Sequence, residues 1–387
     1  MLPALIGLAA LSPQPETVLV TRDDTVIDRS CRIVIPADTV IEDDEGDGVI
    51  HVTASDIEIV FDPKARLVGS TGDPDERSGV GIRIIGQSNV VVRDAVIEGF
   101  KVGLWATDAD GVELHDIDVR SNFAQHLGST PMAEDASDWL WPHRNDDNEW
   151  MRNYGASIWI EDSDEVTVRG VKVRHAQNGI VLDTVRDARV YDNDASFLSG
   201  WGLAMWRTTD SVIARNAFDF CVRGYSHGIY NRGQDSAGLL VFEQCSNNIF
   251  AENSATHGGD GLFAFAGHDA LGEQWYTEKR LEAEQAGRNP DEVVVPDDVI
   301  EAHRGRGNNG NLFIGNDLSH AVAHGLELTF SFDNVLARNT FRDNGICGIW
   351  GGYSQGTLIT ENTFVENGHM GYGLERGGVN IEHGFRN

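Results

Sequence analysis

Short apolar runs, rich in β-branched residues, recur along the chain and are separated by polar turns. Val166-Thr-Val-Arg169, Ala188-Arg-Val-Tyr191, Ser211-Val-Ile-Ala214, Asn311-Leu-Phe-Ile314, Asn334-Val-Leu-Ala337 and Thr357-Leu-Ile-Thr360 are of this kind. Their length and alternation predict short strands with one face buried. Shortly after such segments an asparagine occupies an equivalent place: Asn193, Asn216, Asn253, Asn316, Asn339 and Asn362. Successive spacings are 23, 37, 63, 23 and 23, so the two long ones are a period of 23 with insertions of 14 and 40 residues. In each period a glycine then opens another strand, at Gly179, Gly202, Gly228, Gly261, Gly325 and Gly348.

A period of 23 with several short strands and no helix is that of an all-β, single-stranded right-handed parallel β-helix. In such a solenoid equivalent residues stack at the inter-strand spacing of about 4.8 Å. Asparagine suits the turn because it tolerates a left-handed backbone and its amide can bond to the next coil. Two residues beyond each anchor, Ala195, Phe218, Ala255, Leu318, Phe341 and Phe364 form an inward stack. Residues 17–80 are less regular and read as N-terminal capping strands. Residues 81–387 read as the β-helix, interrupted by insertions at 124–154, 223–247 and 268–308. Within the last, 273–286 reads as a charged helix. The chain stops soon after Ile381 without a polar cap, which is expected of an end covered by another subunit or, the reading favoured, of a truncated chain.

Composition then narrows the function. The 387 residues carry a formal charge of −31, and of 30 basic residues only Lys64, Lys101, Lys172 and Lys279 are lysines. So acidic a surface excludes broad binding to nucleic acid and is repelled by anionic membranes. It suits high salt, or reflects a genome that favours arginine. No run reaches the roughly 20 apolar residues of a membrane span. Residues 1–16 resemble the apolar part of a secretory leader, without a basic start or a good cleavage site. An extracellular or cell-surface location is therefore expected. Cys31, Cys221, Cys245 and Cys347 are scattered and read as buried hydrophobes.

Over roughly residues 80–387 the chain resembles the right-handed parallel β-helix repeat proteins of the pectin-lyase-like superfamily. Tyr225-Ser-His-Gly-Ile-Tyr-Asn-Arg-Gly-Gln-Asp-Ser236 and Ala255-Thr-His-Gly-Gly-Asp-Gly-Leu262 resemble one bacterial and archaeal branch in particular. The resemblance implies carbohydrate as partner, since relatives are mostly polysaccharide lyases, glycoside hydrolases and epimerases, with some binding proteins. Fold alone does not settle the chemistry. The motifs of polygalacturonase-type relatives are missing apart from an echo at Ser226-His-Gly228, so their mechanism is not carried over.

Read in columns, the strand after the repeated glycine turns Val181, Ala204, Tyr230, Phe263, Glu327 and Trp350 outward. Two residues later come Asp183, Trp206, Arg232, Phe265, Thr329 and Gly352. Immediately before the glycine stand Asn178, Trp201, His227, Asp260, His324 and Cys347. Aromatic faces beside convergent ionisable groups predict a sugar-binding groove. The alternative is ordinary packing beneath the inserted loops. Glycoside hydrolysis requires two carboxyl groups in different protonation states. Asp260 and Glu327, one coil apart, are the first pair, with Asp235 third and His227 as a further acid–base group. Tyr230, Arg232, Trp206, Phe263, Trp350, His257, His324, Asp183 and Glu243 are the expected substrate contacts. His257 and His320 form a second stack, followed by Asp343 and Glu366. No cofactor is required, no metal-ligand motif stands out, and bound Ca²⁺ is compatible with the pattern. A glycoside hydrolase on a poly- or oligosaccharide is the leading reading. A lyase or uronate C5-epimerase, with His227 or Tyr230 as base and Arg232 against the carboxylate, is the second. A non-catalytic carbohydrate-binding solenoid is the third. The sequence leaves oligomeric state open.

Overall fold

The computed structural model describes residues 16–370 and 376–383; the leader-like segment, save its last residue, lies outside them. Among the described residues two twelve-stranded sheets run the length of the molecule, with a five-stranded sheet and a two-stranded pair closing the third side. Pairing between the named strands is parallel, coil upon coil, as in Ile180–Asp183 against Trp201–Trp206. The chain is a right-handed parallel β-helix. Residues 17–80 already form coils: Glu16–Leu19, Cys31–Val34 and Glu58–Phe61 pair successively in one long sheet. Glu273–Gln285 is helical, and Asp297–His303 adds a second helix in the same insertion.

The interior is a continuous apolar column containing Leu104, Ile158, Ile180, Leu203, Leu239, Leu262, Leu326 and Ile349. The stack two residues past the asparagines belongs to it, with Phe341 and Phe364 face to face at 5.1 Å. The asparagines form a buried ladder. Asn193, Asn216, Asn253, Asn316 and Asn339 each donate Nδ2 to Oδ1 of the next, ending at Asn362, over 2.9–3.0 Å. They do not take the left-handed turn themselves. The residue before each does, at φ of 53–68°. The asparagine stays inward because its amide satisfies backbone groups that an enclosed turn would otherwise leave unpaired. A second ladder, Asn248–Asn311–Asn334, runs beside it.

One register assignment needs correcting. Gly228 does not open a coil strand; Ala237–Phe242 does, with Leu203 opposite Leu239 and Leu239 opposite Leu262. The excess residues precede the strand as a loop, 223–236, so the insertion ends there and not at 247. His227, Tyr230 and Arg232 therefore leave their columns, where Ala237, Leu240 and Phe242 stand instead.

The outer face of this sheet is roofed by the 124–154 insertion. Trp150 packs on Trp201 at 4.9 Å, Trp206 at 5.3 Å and Phe242 at 6.4 Å. Leu140, Tyr154, Trp159 and Phe263 belong to the same second apolar cluster. Truncating so large a buried ring leaves a cavity the surroundings only partly fill. Trp150→Ala should lower unfolding free energy by about 3–5 kcal/mol in denaturant titration; a loss below about 1 kcal/mol would show the roof to be loosely seated.

Candidate functional site

Three strands, Asp260–Phe265, His324–Thr329 and Cys347–Gly352, lie side by side in the roofed sheet. Alternation turns Phe263, Glu327 and Trp350 outward, and register sets them across from one another. Asp260 sits at the start of its strand, where its Oδ1 accepts the His324 backbone N–H at 2.8 Å. Thr329 Oγ1 lies 3.3 Å from Glu327 Oε1. Asp260, His324 and Glu327 are only 3, 5 and 7% exposed. From the 223–236 loop come Asp235, half-buried, and Arg232, whose guanidinium lies 5.9 Å from the Trp139 ring centroid. The Asp235 backbone carbonyl is tied to Trp201 Nε1 at 2.9 Å, which fixes the loop to the sheet.

Burial dominates the electrostatics, because it disfavours charge. It pushes the Asp260 carboxyl up to about 8, with Asp235 adding repulsion and the His324 N–H and Arg232 opposing. Glu327 is raised well above the usual carboxylate range, first by burial and then by Asp260. Asp235 rises only to about 6, with Arg232 pulling it down. Burial, with Arg232 nearby, lowers His324 to about 3, so its ring is neutral. Two polar atoms here, His324 Nδ1 and Trp350 Nε1, are buried without a hydrogen-bond partner among the described residues. The two rings lie nearly parallel, 5.8 Å apart.

The remaining expected contacts divide. Trp206 and Phe263 are 2 and 5% exposed beneath the roof, so they are packing groups and cannot stack on a sugar. Tyr230 is also buried and bonds Thr130 O at 3.2 Å, joining the two loops. His227 is exposed on the loop, 3.4 Å from Tyr225 Oη, and the register shift removes the reason for placing it beside Asp260. Asp183 and Glu243 belong elsewhere, at the far ends of earlier strands. Asn145 Nδ2 and Thr184 Oγ1 donate to Asp183 at 2.7 and 2.9 Å beside a cavity of about 220 Å³ that Glu161 and Arg207 also line. Burial raises Asp183 to about 7 and Glu243 to about 7. Glu161 was missed because the 124–154 insertion hides its register with Asp183. Trp105 Nε1, Thr107 Oγ1 and Trp159 Nε1 all donate to it.

A third group follows the turn four residues past the asparagines. Phe197, Phe220, His257, His320, Asp343 and Glu366 all have left-handed backbones, φ 54–61°. The first four rings stack successively at 4.6–4.8 Å.

The stacked coils, internal ladders and carboxyl-lined outer face define a right-handed parallel β-helix repeat protein. The chain belongs to the family described as periplasmic copper-binding protein (NosD), whose model matches residues 65–279, more than half of its length. A model described as a right handed beta helix region matches residues 300–386. Among solved structures, the Streptococcus pneumoniae surface adhesin PfbA is similar at a TM-score of 0.55 and 13% identity, over 96% of this chain and 82% of that one. The DFA-IIIase of Arthrobacter chlorophenolicus A6 without its lid gives 0.52 and 12%, over 94% and 88%. At such identities the likeness is one of fold. No curated protein sequence matches the chain. Among the described residues no helix is long and apolar enough to cross a membrane.

Proposed function

We propose that the chain is a carbohydrate-active enzyme, acting outside the cytoplasm, that hydrolyses glycosidic bonds of a poly- or oligosaccharide at Asp235, Asp260 and Glu327. The observation carrying this reading is the buried Asp260–Glu327 pair, whose carboxyls are held protonated at neutral pH, beside Asp235, which is ionised there. Hydrolysis needs just such unlike carboxyl groups: one donates a proton to the leaving oxygen, the other activates water or attacks. Glu327 is the acid, since it is outward and next to Trp350. Asp235, paired electrostatically with Arg232, is the base or nucleophile. Burial keeps Glu327 protonated, with Asp260 as its coupled neighbour. Trp350, half-buried and set across from Glu327, is the aromatic contact left with some exposure for a sugar. Support also comes from the protein named DFA-IIIase among the structures of like fold and, for location, from the family's description as periplasmic.

Lyase or epimerase chemistry fits less well. It needs a base at the sugar C5 proton, and the candidate bases are Tyr230, tied to Thr130, and His227, on an exposed loop. Copper, which the family description names, finds poor ligands at this site because protonated carboxyls do not coordinate well. Nor do the thiols offer it a place: all four cysteines are buried, and burial pushes Cys31 up to about 11 and Cys245 to about 12. The donor set that suits copper is imidazole, gathered in the turn column.

The test is a product assay over a panel of neutral and uronate glycans. New reducing ends without an unsaturated-sugar chromophore are expected. The chromophore, or binding with no product at all, would overturn the hydrolytic reading. The rate should follow a bell in pH, rising as Asp235 ionises near 6 and falling in alkali as the coupled Asp260–Glu327 pair loses its first proton near 8. A profile flat between pH 5 and 9 would remove these groups from the chemistry.

A further inference from the structure

Among the described residues, three side chains able to ligate a metal bring their donor atoms within 4.8 Å of one another: Asp24, Asp47 and His51. The imidazoles of the turn column do not converge in this way. The three lie in the capping coils, ahead of residues 65–279 that the family model matches, and toward the opposite end of the roofed sheet from Asp260. His51 is the middle residue of Ile50–Val52, whose ends are buried, so alternation turns its imidazole outward. Register sets Val26 of the neighbouring strand, Thr25–Ile27, across from it. Asp24 stands in the turn just before that strand, with a left-handed backbone at φ 57°. Asp47 comes from the loop 43–48. Asp43 closes that loop by accepting the N–H groups of Gly46, Asp47 and Gly48 at 2.8, 3.2 and 3.1 Å. Asp23 accepts the Asp44 N–H at 2.9 Å, which ties the loop to the turn that carries Asp24.

His51 Nε2 lies 3.3 Å from Asp24 Oδ1 and 3.8 Å from Asp47 Oδ1, yet it is buried without a hydrogen-bond partner among the described residues. An N–H facing two carboxylates should be in line with one of them; a lone pair aimed with both at a shared ion need not be. Ligands bound at about 2.0–2.2 Å round a tetrahedral ion sit roughly 3.3–3.6 Å apart, close to these separations. We propose that Asp24, Asp47 and His51 bind a zinc ion that pins the loop 43–48 to the first two strands of the roofed sheet. An imidazole with two carboxylates suits Zn²⁺, whereas Ca²⁺ takes roughly six to eight oxygens. Three protein ligands leave one tetrahedral position to water. Five carboxyl groups fall within residues 42–47, a concentration of negative charge that a dication offsets. The site stands apart from the hydrolytic reading and acts on the fold, since an ion bound only by the folded chain stabilises it.

The test is titration of the metal-free chain with Zn²⁺, read by calorimetry, by the thermal midpoint and by the visible spectrum of Co²⁺ in its place. One equivalent of Zn²⁺, a raised midpoint and the bands of tetrahedral Co²⁺ are expected, with weaker binding of Ca²⁺. Asp47→Asn and His51→Asn should each weaken Zn²⁺ binding at least about tenfold, in line with loss of a metal-site residue, and abolish the rise in midpoint. Asp47 is exposed, so its variant tests the site without disturbing the core. His257→Asn should leave Zn²⁺ binding unaltered. Absence of stoichiometric Zn²⁺ binding by the folded chain would overturn the proposal and leave His51 as the cation of an ion pair only. So would binding that survives the Asp47→Asn/His51→Asn double variant, binding lost on His257→Asn, or Ca²⁺ binding as tightly as Zn²⁺.

Discussion

Asp260→Asn should cut glycan turnover, though by less than the factor of about 10²–10⁴ expected of removing the positioned acid Glu327, while making the protein more stable in mild alkali. The two effects share one cause. Burial raises the Asp260 carboxyl to about 8 in the folded chain, against an ordinary value of 3.8. A folded-state value above the unfolded one means that the folded protein holds a proton the unfolded chain has released. The associated stability is therefore complete below about pH 4 and is lost as pH rises through 8. The wild-type thermal midpoint should fall between pH 5 and 9, and Asp260→Asn should flatten that fall. The amide oxygen can still accept the His324 N–H, so the strand start is preserved. Glu327→Gln, which removes the proposed acid itself, should be at least as inactive. Thermal scans at several pH values with rate assays on the same samples decide it. Equal slopes in wild type and Asp260→Asn would show that this carboxyl is not held protonated by the fold.

Much of this site was legible before any coordinates, and the part that was not has a definite cause. The 23-residue period puts Asp260 and Glu327 on neighbouring coils, and an outward position follows from alternation alone. The 14-residue excess between Asn216 and Asn253 could lie on either side of a strand. Gly228-Ile-Tyr-Asn231 carries the same glycine-then-apolar pattern as Gly238-Leu-Leu-Val241. What distinguishes the second is that both faces are apolar: Leu239 enters the interior while Leu240 and Phe242 meet the roof. Strands covered on both sides lose the alternation that marks a half-buried strand. The same covering turns Trp206 and Phe263 from an apparent sugar platform into core. Asp235 comes from the inserted loop as expected, but Arg232 does too and not from the sheet, and a loop's return path is not written in a repeat.

The asparagine ladder carries the other large expectation. Asn253→Ala should lower unfolding free energy by about 3–5 kcal/mol, mainly because of what it leaves unpaired rather than what it removes. Asn253 Oδ1 accepts the Asn216 backbone N–H at 3.0 Å, and Asn253 Nδ2 donates to Ile213 O at 2.9 Å. Both partners, one in the strand Val212–Ala214 and one in the turn after it, are buried, and each orphaned group costs about 1–3 kcal/mol. The side-chain links to Asn216 and Asn316 go as well, cutting the ladder in its middle. Asn362 offers the comparison. It accepts the Asn339 N–H at 2.8 Å in the same geometry, but it is half-buried at the last coil of the ladder. Water can reach its partners, so Asn362→Ala should cost about 1 kcal/mol, the ordinary net value of a hydrogen bond. Urea titrations of the two variants separate the explanations. Equal losses would mean that each asparagine acts through its own bonds regardless of enclosure. A middle loss several times the end loss would locate the stabilisation in the dry, uninterrupted stack, where nearest-neighbour coupling between coils holds the solenoid together.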